Sequence, residues 1–230
     1  MKYFYDLHIH SDLSPCGHRD MTPNNIINMS YIKGLNIISV TDHNTTRNLP
    51  AVIKSSNNKI KVIPGIEVTT KEEVHVLCYF KNLNEAMQFG EIIYLSLIDI
   101  MNNPKLFGEQ NIYNENDEII GTIDKLLLSA SSYSLSEINS MVEEYHGIMV
   151  PAHINKKSNS MLNTLGFIPD SLNINFIELY DELDINEKYM KRYNVLRNSD
   201  AHILTDISEP INYMELKNVD GVFDYLQASR

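Results

Sequence analysis

The chain has 230 residues, 43% of them hydrophobic, a formal net charge of -11 and two cysteines. That length is enough for one domain with a substantial core, and the acidic balance speaks against tight non-specific nucleic-acid binding, which needs Lys and Arg to displace counterions. Cys16 and Cys78 make no disulfide framework, no apolar run approaches the roughly 20 residues of a bilayer span, and Asp6 in an opening strand argues against a secretory signal, so a reducing cytoplasm is expected.

In chain order, the first strand runs Tyr3-Phe4-Tyr5-Asp6-Leu7-His8-Ile9-His10-Ser11 and leads into a turn from Asp12 to Asp20. Thr22-Pro23 starts a helix, as N-cap and first helical residue, that ends at Gly34. Asn36–Thr41 is a short buried strand delivering Asp42 and His43, and a second helix covers about Thr46 to Ser56. Ile60–Glu67 reads as a third strand and Val74–Tyr79 as a fourth. A helix is expected from Asn84 to about Asn102, and a polar-tipped hairpin or loop over 110–120. Two more helices follow, at about 123–130 and 135–145, the second with Ser134 or Ser136 as cap and Glu137 in its first turn. Strands resume at Gly147–His153, Asn175–Tyr180 and Asn194–Ser199, and a last helix from Val219 ends the chain. This rhythm gives about seven parallel strands joined by right-handed crossovers. The expected architecture is α/β: a distorted, TIM-like (β/α)7 barrel occupying residues 1–230 as one domain, interrupted by an insertion at about 83–147 that could form a lid over the strand ends.

The chemistry-bearing residues gather at the carboxyl ends of these strands, where barrel enzymes place their sites. His8 and His10, two apart on a strand, share one face. Thr41-Asp42-His43, Gly65-Ile66-Glu67, His75, Pro151-Ala152-His153 and Ser199-Asp200-Ala201-His202 end or follow apolar runs. With His18, seven of the eight histidines lie beside or within a strand end. A buried uncompensated charge at such a position is costly, and a metal bound jointly by imidazole nitrogen and carboxylate oxygen offsets that cost. The joint pattern points to one polynuclear metal centre.

Asp-Leu-His-Ile-His-Ser, Val-Thr-Asp-His-Asn, Gly-Ile-Glu-Val, Val-His-Val-Leu, Pro-Ala-His and Ser-Asp-Ala-His resemble, in order and from Asp6 to His202, the motifs of the PHP (polymerase and histidinol phosphatase) superfamily. The resemblance implies a distorted seven-stranded barrel, two or three divalent metal ions and phosphoester hydrolysis. Carried over by position, His8, His10, Glu67 and Asp200 hold one metal; His18, His43 and His202 a second; Glu67, His75 and His153 a third, with Glu67 bridging. The loop of His18 varies in the family, and Asp20 or Asp12 is the next candidate there. Asp42 and Asp6 are expected to orient imidazoles without ligating.

Mixed imidazole and carboxylate ligands suit Zn²⁺, Mn²⁺ or Fe²⁺. Closely spaced metals lower the pKa of a bridging water and clamp phosphoryl oxygens, so the expected reaction is attack of a metal-bridging hydroxide on a small phosphomonoester such as a nucleotide or histidinol phosphate. Asp200 and His202 are the expected catalytic residues, with His202 or a metal-bound water as leaving-group acid. Arg19 and Lys156 are the expected phosphate contacts; Lys156 stands near where phosphatase members often carry an arginine, and it lacks the bidentate fork. Cys16 reads as a turn residue, His146 as a cap or surface residue, and Tyr113 and Tyr133 as packing residues able to stack on a base. The competing readings are a phosphodiesterase or exonuclease, a non-catalytic metal-stabilised interaction module, and C–N bond hydrolysis of the amidohydrolase kind. A small phosphorylated substrate, no membrane and no strong nucleic-acid binding are the expected partner profile; nothing in the sequence assigns an oligomeric state.

Overall fold

The structure, a computed structural model, describes residues 1–180 and 187–228. Its elements are β1 (Lys2–Ile9), α1 (Pro23–Ile32), β2 (Ile37–Val40), α2 (Leu49–Ser56), β3 (Lys61–Val62), β4 (Gly65–Thr69), β5 (His75–Tyr79), α3 (Leu83–Ser96), α4 (Pro104–Phe107), β6 (Asn111–Tyr113), β7 (Ile119–Thr122), α5 (Leu135–Glu144), β8 (Ile148–Pro151), α6 (Met161–Leu165), β9 (Phe176–Glu178), α7 (Glu187–Arg192), β10 (Asn194–Leu196), β11 (Tyr213–Glu215) and α8 (Val222–Gln227). The last two residues of the helix expected to end the chain lie outside the described residues.

The all-parallel barrel is corrected. β1, β2 and β3 pair in parallel, but β11 joins β1 antiparallel, β4–β5–β8 is antiparallel throughout, and β9–β10 and β6–β7 form separate pairs. Among the described residues no continuous ladder closes. The physical break falls inside the run Ile60–Glu67, expected as one strand. Pro64 has no N–H for a ladder, so the run divides there into β3 and β4. A short turn, with Glu73 at φ 59, then folds β5 directly back on β4.

The strands still share one interior. Tyr5 and Leu7 of β1, Leu77 and Tyr79 of β5, Val150 of β8 and Leu196 of β10 bury their side chains in one cluster. The Tyr79 hydroxyl donates to the Leu7 carbonyl across 2.8 Å. Single bridges, Ile9 with Ala201 and His43 with Glu67, tie the strand ends together where ladders do not. Side-chain packing thus brings strand ends from separate sheets to one place.

The expected helices fall where capping and periodicity place them, with two exceptions, and the short helices α4, α6 and α7 are not among those expected. α5 carries the full Ser134–Glu137 capping box, and α1 starts at Pro23, although the Thr22 hydroxyl donates to Asp117 instead of capping. The first exception is α3, which stops at Ser96, short of Asn102. The second is 123–130, which is not helical: the buried Gln110 amide donates to the carbonyls of Ile123 and Lys125, and its oxygen accepts from the Leu127 N–H. Those are groups a helix would need for its own ladder. Residues 83–147 brace the rim of the strand ends. α3 packs so closely on the segment after β2 that a Cβ on Gly90 would fall 2.2 Å from Thr46 Oγ1. Asn111 and Tyr113 both donate to the Asp12 carboxylate. No helix among the described residues is long and apolar enough to cross a membrane.

Candidate metal centre

Glu67, on β4 and fully buried, sits among five histidines from four segments of the chain. Its Oε1 lies 3.4 Å from His8 Nε2, 2.9 Å from His75 Nδ1 and 3.2 Å from His153 Nε2. Its Oε2 lies 3.3 Å from His10 Nε2 and 3.0 Å from His43 Nδ1. Asp200 Oδ1 closes the group at 3.3 Å from His8 Nε2 and 3.2 Å from His10 Nε2.

The outward hydrogen bonds settle which ring nitrogens carry protons. His8 Nδ1 lies 3.1 and 3.0 Å from the two Glu178 oxygens; a carboxylate only accepts, so Nδ1 is the donor. Ser14 Oγ spends its hydrogen on Asp42 Oδ1 at 2.7 Å, and therefore accepts from His10 Nδ1 at 3.0 Å. His202 Nδ1 donates to the Asp200 carbonyl at 2.7 Å. In the neutral rings His8 Nε2, His10 Nε2 and His202 Nε2 are consequently bare lone pairs. The first two stand 3.2 Å apart, facing carboxylate oxygens that are also acceptors.

Such a set repels itself unless a cation sits among it. Two further atoms carry the same message: His43 Nδ1 and Glu67 Oε2 are buried and lack a hydrogen-bond partner, although only 3.0 Å apart. The donor chemistry fits divalent metal. Three groups have ligand atoms close enough to share an ion: His10, His43 and His202; His8, His10 and Asp200; His43, Glu67 and His75.

The electrostatics follow the same logic. Burial opposes the charge on Glu67, but His75, His8 and His43 hold its carboxyl well below the usual range. Burial also opposes the charge on His10, and the Asp200 and Glu67 carboxylates lift it to about 9. Asp200 is likewise held far down by His8 and His10 against its burial. His202 goes the other way, to about 3, through burial and the neighbouring His10. It is a neutral imidazole, the form that ligates metal.

The backbone at the centre is strained. His153 has φ 27 and Asp200 φ 53, values uncommon for side-chain-bearing residues and frequent at functional sites. The Asp200 turn is held by Asp6, which accepts from the N–H and hydroxyl of Ser199 at 3.1 and 2.6 Å. The expectation that Asp6 and Asp42 orient neighbouring imidazoles is corrected by this geometry. Asp6 fixes backbone, and Asp42 acts on His10 through Ser14, while accepting from Ser11 N–H and hydroxyl.

His8, His10, His43, Glu67, His75, His153, Asp200 and His202 thus meet at one place. His18 does not join them: its side chain is half-exposed and lies 3.4 Å from Asp20, and only its backbone N–H reaches the centre, at the His202 carbonyl. Asp20 is exposed, and Asp12 is engaged by Asn111 and Tyr113. Lys156 Nζ donates to Asp200 Oδ2 at 2.8 Å, while Arg19 is exposed and does not line the mouth. That mouth encloses about 70 Å³, lined by the ligating groups with Lys156, Ser158 and Asn159. None of residues 83–147 lines it, so the insertion braces the site without covering it. Larger recesses elsewhere, such as one of about 380 Å³ beside Asn139, Glu143 and Gln227, gather no comparable ligand set. Glu178 is the residue that sequence reasoning missed. The signal was present, as a carboxylate ending the apolar run Phe176-Ile177, the same pattern that marked Glu67. Cys16 is exposed and Cys78 buried, both as free thiols.

Comparison with known proteins places this geometry. The family model described as "PHP domain" matches residues 6–193. No curated protein matches the chain in sequence. Among solved structures, the lesion-specific endonuclease Q of Pyrococcus furiosus superposes with a TM-score of 0.72 at 22% identity, over 98% of this chain and 56% of that one. An endonuclease Q bound to a 27-mer duplex with an abasic lesion at its active site gives 0.61 at 23%, over 89% and 50%. A Bifidobacterium adolescentis protein assigned as a metal-dependent phosphoesterase gives 0.60 at 16%, over 99% and 97%. The chain spans about half the length of the endonuclease Q chains it matches. At these identities the likeness establishes the fold.

Proposed function

The chain belongs to the PHP domain family, and from that premise we propose that it is a metal-dependent hydrolase of phosphoric esters, acting on a small phosphomonoester. The observation that carries this reading is Glu67, with both oxygens within 3.4 Å of imidazole nitrogens from five histidines. In this reading His8, His10, His43, Glu67, His75, His153, Asp200 and His202 hold two or three ions, with Glu67 shared between them. Zn²⁺, Mn²⁺ and Fe²⁺ fit the donor set better than Mg²⁺ or Ca²⁺. Ions bound there supply a water of lowered pKa and a clamp for phosphoryl oxygens.

The protein's own groups do the rest. Glu178 and Ser14 fix the rings of His8 and His10 so that Nε2 faces inward. Asp200 and His202 would serve as ligands of the metal. Lys156, on the rim, takes the phosphate charge that metal leaves uncompensated. A mouth of about 70 Å³ and a formal charge of -11 favour a compact phosphate over a long strand.

A second reading, a nuclease, is favoured by the likeness to endonuclease Q over 98% of this chain. One experiment separates them: phosphate release from a panel of phosphomonoesters, beside cleavage of abasic duplex and single-stranded DNA, after loading with Mn²⁺, Zn²⁺ or Fe²⁺. Metal-dependent phosphate release that vanishes in His10→Ala supports the first reading. Strand cleavage without monoester turnover replaces it with the second, and inactivity on both with metal bound leaves a binding module.

A further inference from the structure

The mouth over the metal centre is small, about 70 Å³, so the remainder of an ester must lie on the rim. The rim next to Lys156 carries an aromatic ring. Tyr180 lies two residues beyond β9, 40% exposed, with Lys156 Nζ 5.1 Å from its ring centroid. The same ammonium donates to Asp200 Oδ2 at 2.8 Å. One lysine therefore links the metal-holding carboxylate to the tyrosine.

Tyr180 is also held in place more firmly than an exposed side chain needs to be. The Asn155 side chain pairs with its backbone at both ends: Oδ1 accepts from the Tyr180 N–H at 2.8 Å, and Nδ2 donates to the Tyr180 carbonyl at 2.9 Å. Asn155 lies two residues beyond His153, and His153 N–H donates to Glu178, two residues before Tyr180. The metal-site strand ends thus fix both the cation and the ring. By contrast, Tyr113 is 6% exposed, with its hydroxyl committed to Asp12, and Tyr133 packs against the core. The tyrosines marked by the sequence are structural, and the one beside Lys156 on the rim is Tyr180.

We propose that Tyr180 and Lys156 form a leaving-group subsite for a phosphate ester that bears a planar heteroaromatic group, that is, a nucleotide, with Lys156 on the phosphate and Tyr180 stacked on the base. This rests on the phosphoesterase reading and narrows its substrate class. Base–aromatic stacking is sequence-tolerant because every base has a π-face, so the subsite selects nucleotides over sugar phosphates without selecting one base. Asn155 is a positioning residue here.

The test is equilibrium binding to the full-length, metal-loaded protein, with AMP, ribose 5-phosphate and inorganic phosphate as probes and a 5′-phosphorylated tetranucleotide to separate a free nucleotide from a strand end. Wild type should bind AMP or the tetranucleotide about tenfold tighter than ribose 5-phosphate. Tyr180→Ala should erase that ratio with inorganic phosphate binding unchanged, Tyr180→Phe should preserve it, and Asn155→Ala should reduce it. Equal affinity for AMP, tetranucleotide and ribose 5-phosphate in wild type, or an unchanged ratio in Tyr180→Ala, overturns the subsite. Because the ratio is read from binding, it can fail while phosphate release stands, and can stand where turnover is absent.

Discussion

Lys156 Nζ donates to Asp200 Oδ2 across 2.8 Å, while Oδ1 of the same carboxylate faces His8 and His10. The carboxylate is thus divided between an inner, metal-facing oxygen and an outer oxygen held by a cation on the rim. Burial works against charge on Lys156, but Asp200 raises its pKa, so the ammonium stays charged throughout the neutral range. A charged hydrogen bond to phosphate is worth about 1.5–3 kcal/mol. Lys156→Gln should therefore raise KM for the best monoester roughly 10- to 100-fold, with metal content unchanged by elemental analysis. Loss of metal from this variant would show that Lys156 serves the ligand set instead.

Glu67→Gln keeps size and shape but removes the charge that five imidazoles converge on. The buried amide would place N–H donors against bare nitrogens and ions. The expected result is loss of at least one bound metal equivalent and a fall in turnover of about 10³-fold, consistent with a several-kcal/mol contribution from metal to the transition state. Full metal content with near-normal kcat would remove Glu67 from the bridging role.

Why the site was legible where the fold was less so follows from particular residues. A histidine or carboxylate at the end of an apolar run has few harmless explanations, and His8, His10, His43, Glu67, His75, His153, Asp200 and His202 all come together. Strand direction was not legible because periodicity reports burial and not direction. β4 and β5 are as apolar as parallel strands, yet pair antiparallel, and only Pro64 hinted that the run would break. The absent helix at 123–130 depended on Gln110, whose side-chain bonds to that stretch have no local sequence signature. His18 is a neighbour in sequence whose turn faces outward.

Glu178 accepts from His8 Nδ1, His153 N–H and Asn198 Nδ2, so it fixes one ring and one strand end together. Partners of this kind cost 10- to 100-fold in metal affinity or activity when removed. Glu178→Gln should weaken metal binding within that range, measured by chelator competition, while far-UV circular dichroism stays that of wild type. An unaltered metal affinity would reduce Glu178 to a packing residue.

His18 and His43 make a paired test of the ligand set. His43 is buried and reaches Glu67 Oε2 at 3.0 Å, whereas His18 turns to Asp20. His43→Ala should lose metal and nearly all turnover; His18→Ala should retain its metal stoichiometry and change kcat less than about threefold, the scale of an exposed substitution. Metal loss in His18→Ala would mean that its loop turns inward when the ions bind.

Metal removal should also be felt as stability. Without an ion, the buried Glu67 and Asp200 carboxylates and the histidines that converge on them lose the cation that joins them, and His43 Nδ1 and Glu67 Oε2 stay unpartnered, which is unfavourable. Binding to the folded state alone adds RT ln(1 + [L]/Kd), about 2.7 kcal/mol when free metal is 100 times Kd. For a chain of this size 1 kcal/mol moves Tm by about 2–4 °C, so chelation should lower Tm by roughly 5–10 °C, and restored metal should recover it. His10→Ala removes a nitrogen shared by two of the ligand groups, and its Tm should respond to chelator much less than that of wild type. Identical melting of chelated and metal-loaded wild type would contradict the argument, because an ion seated among these groups must stabilise the fold that assembles them.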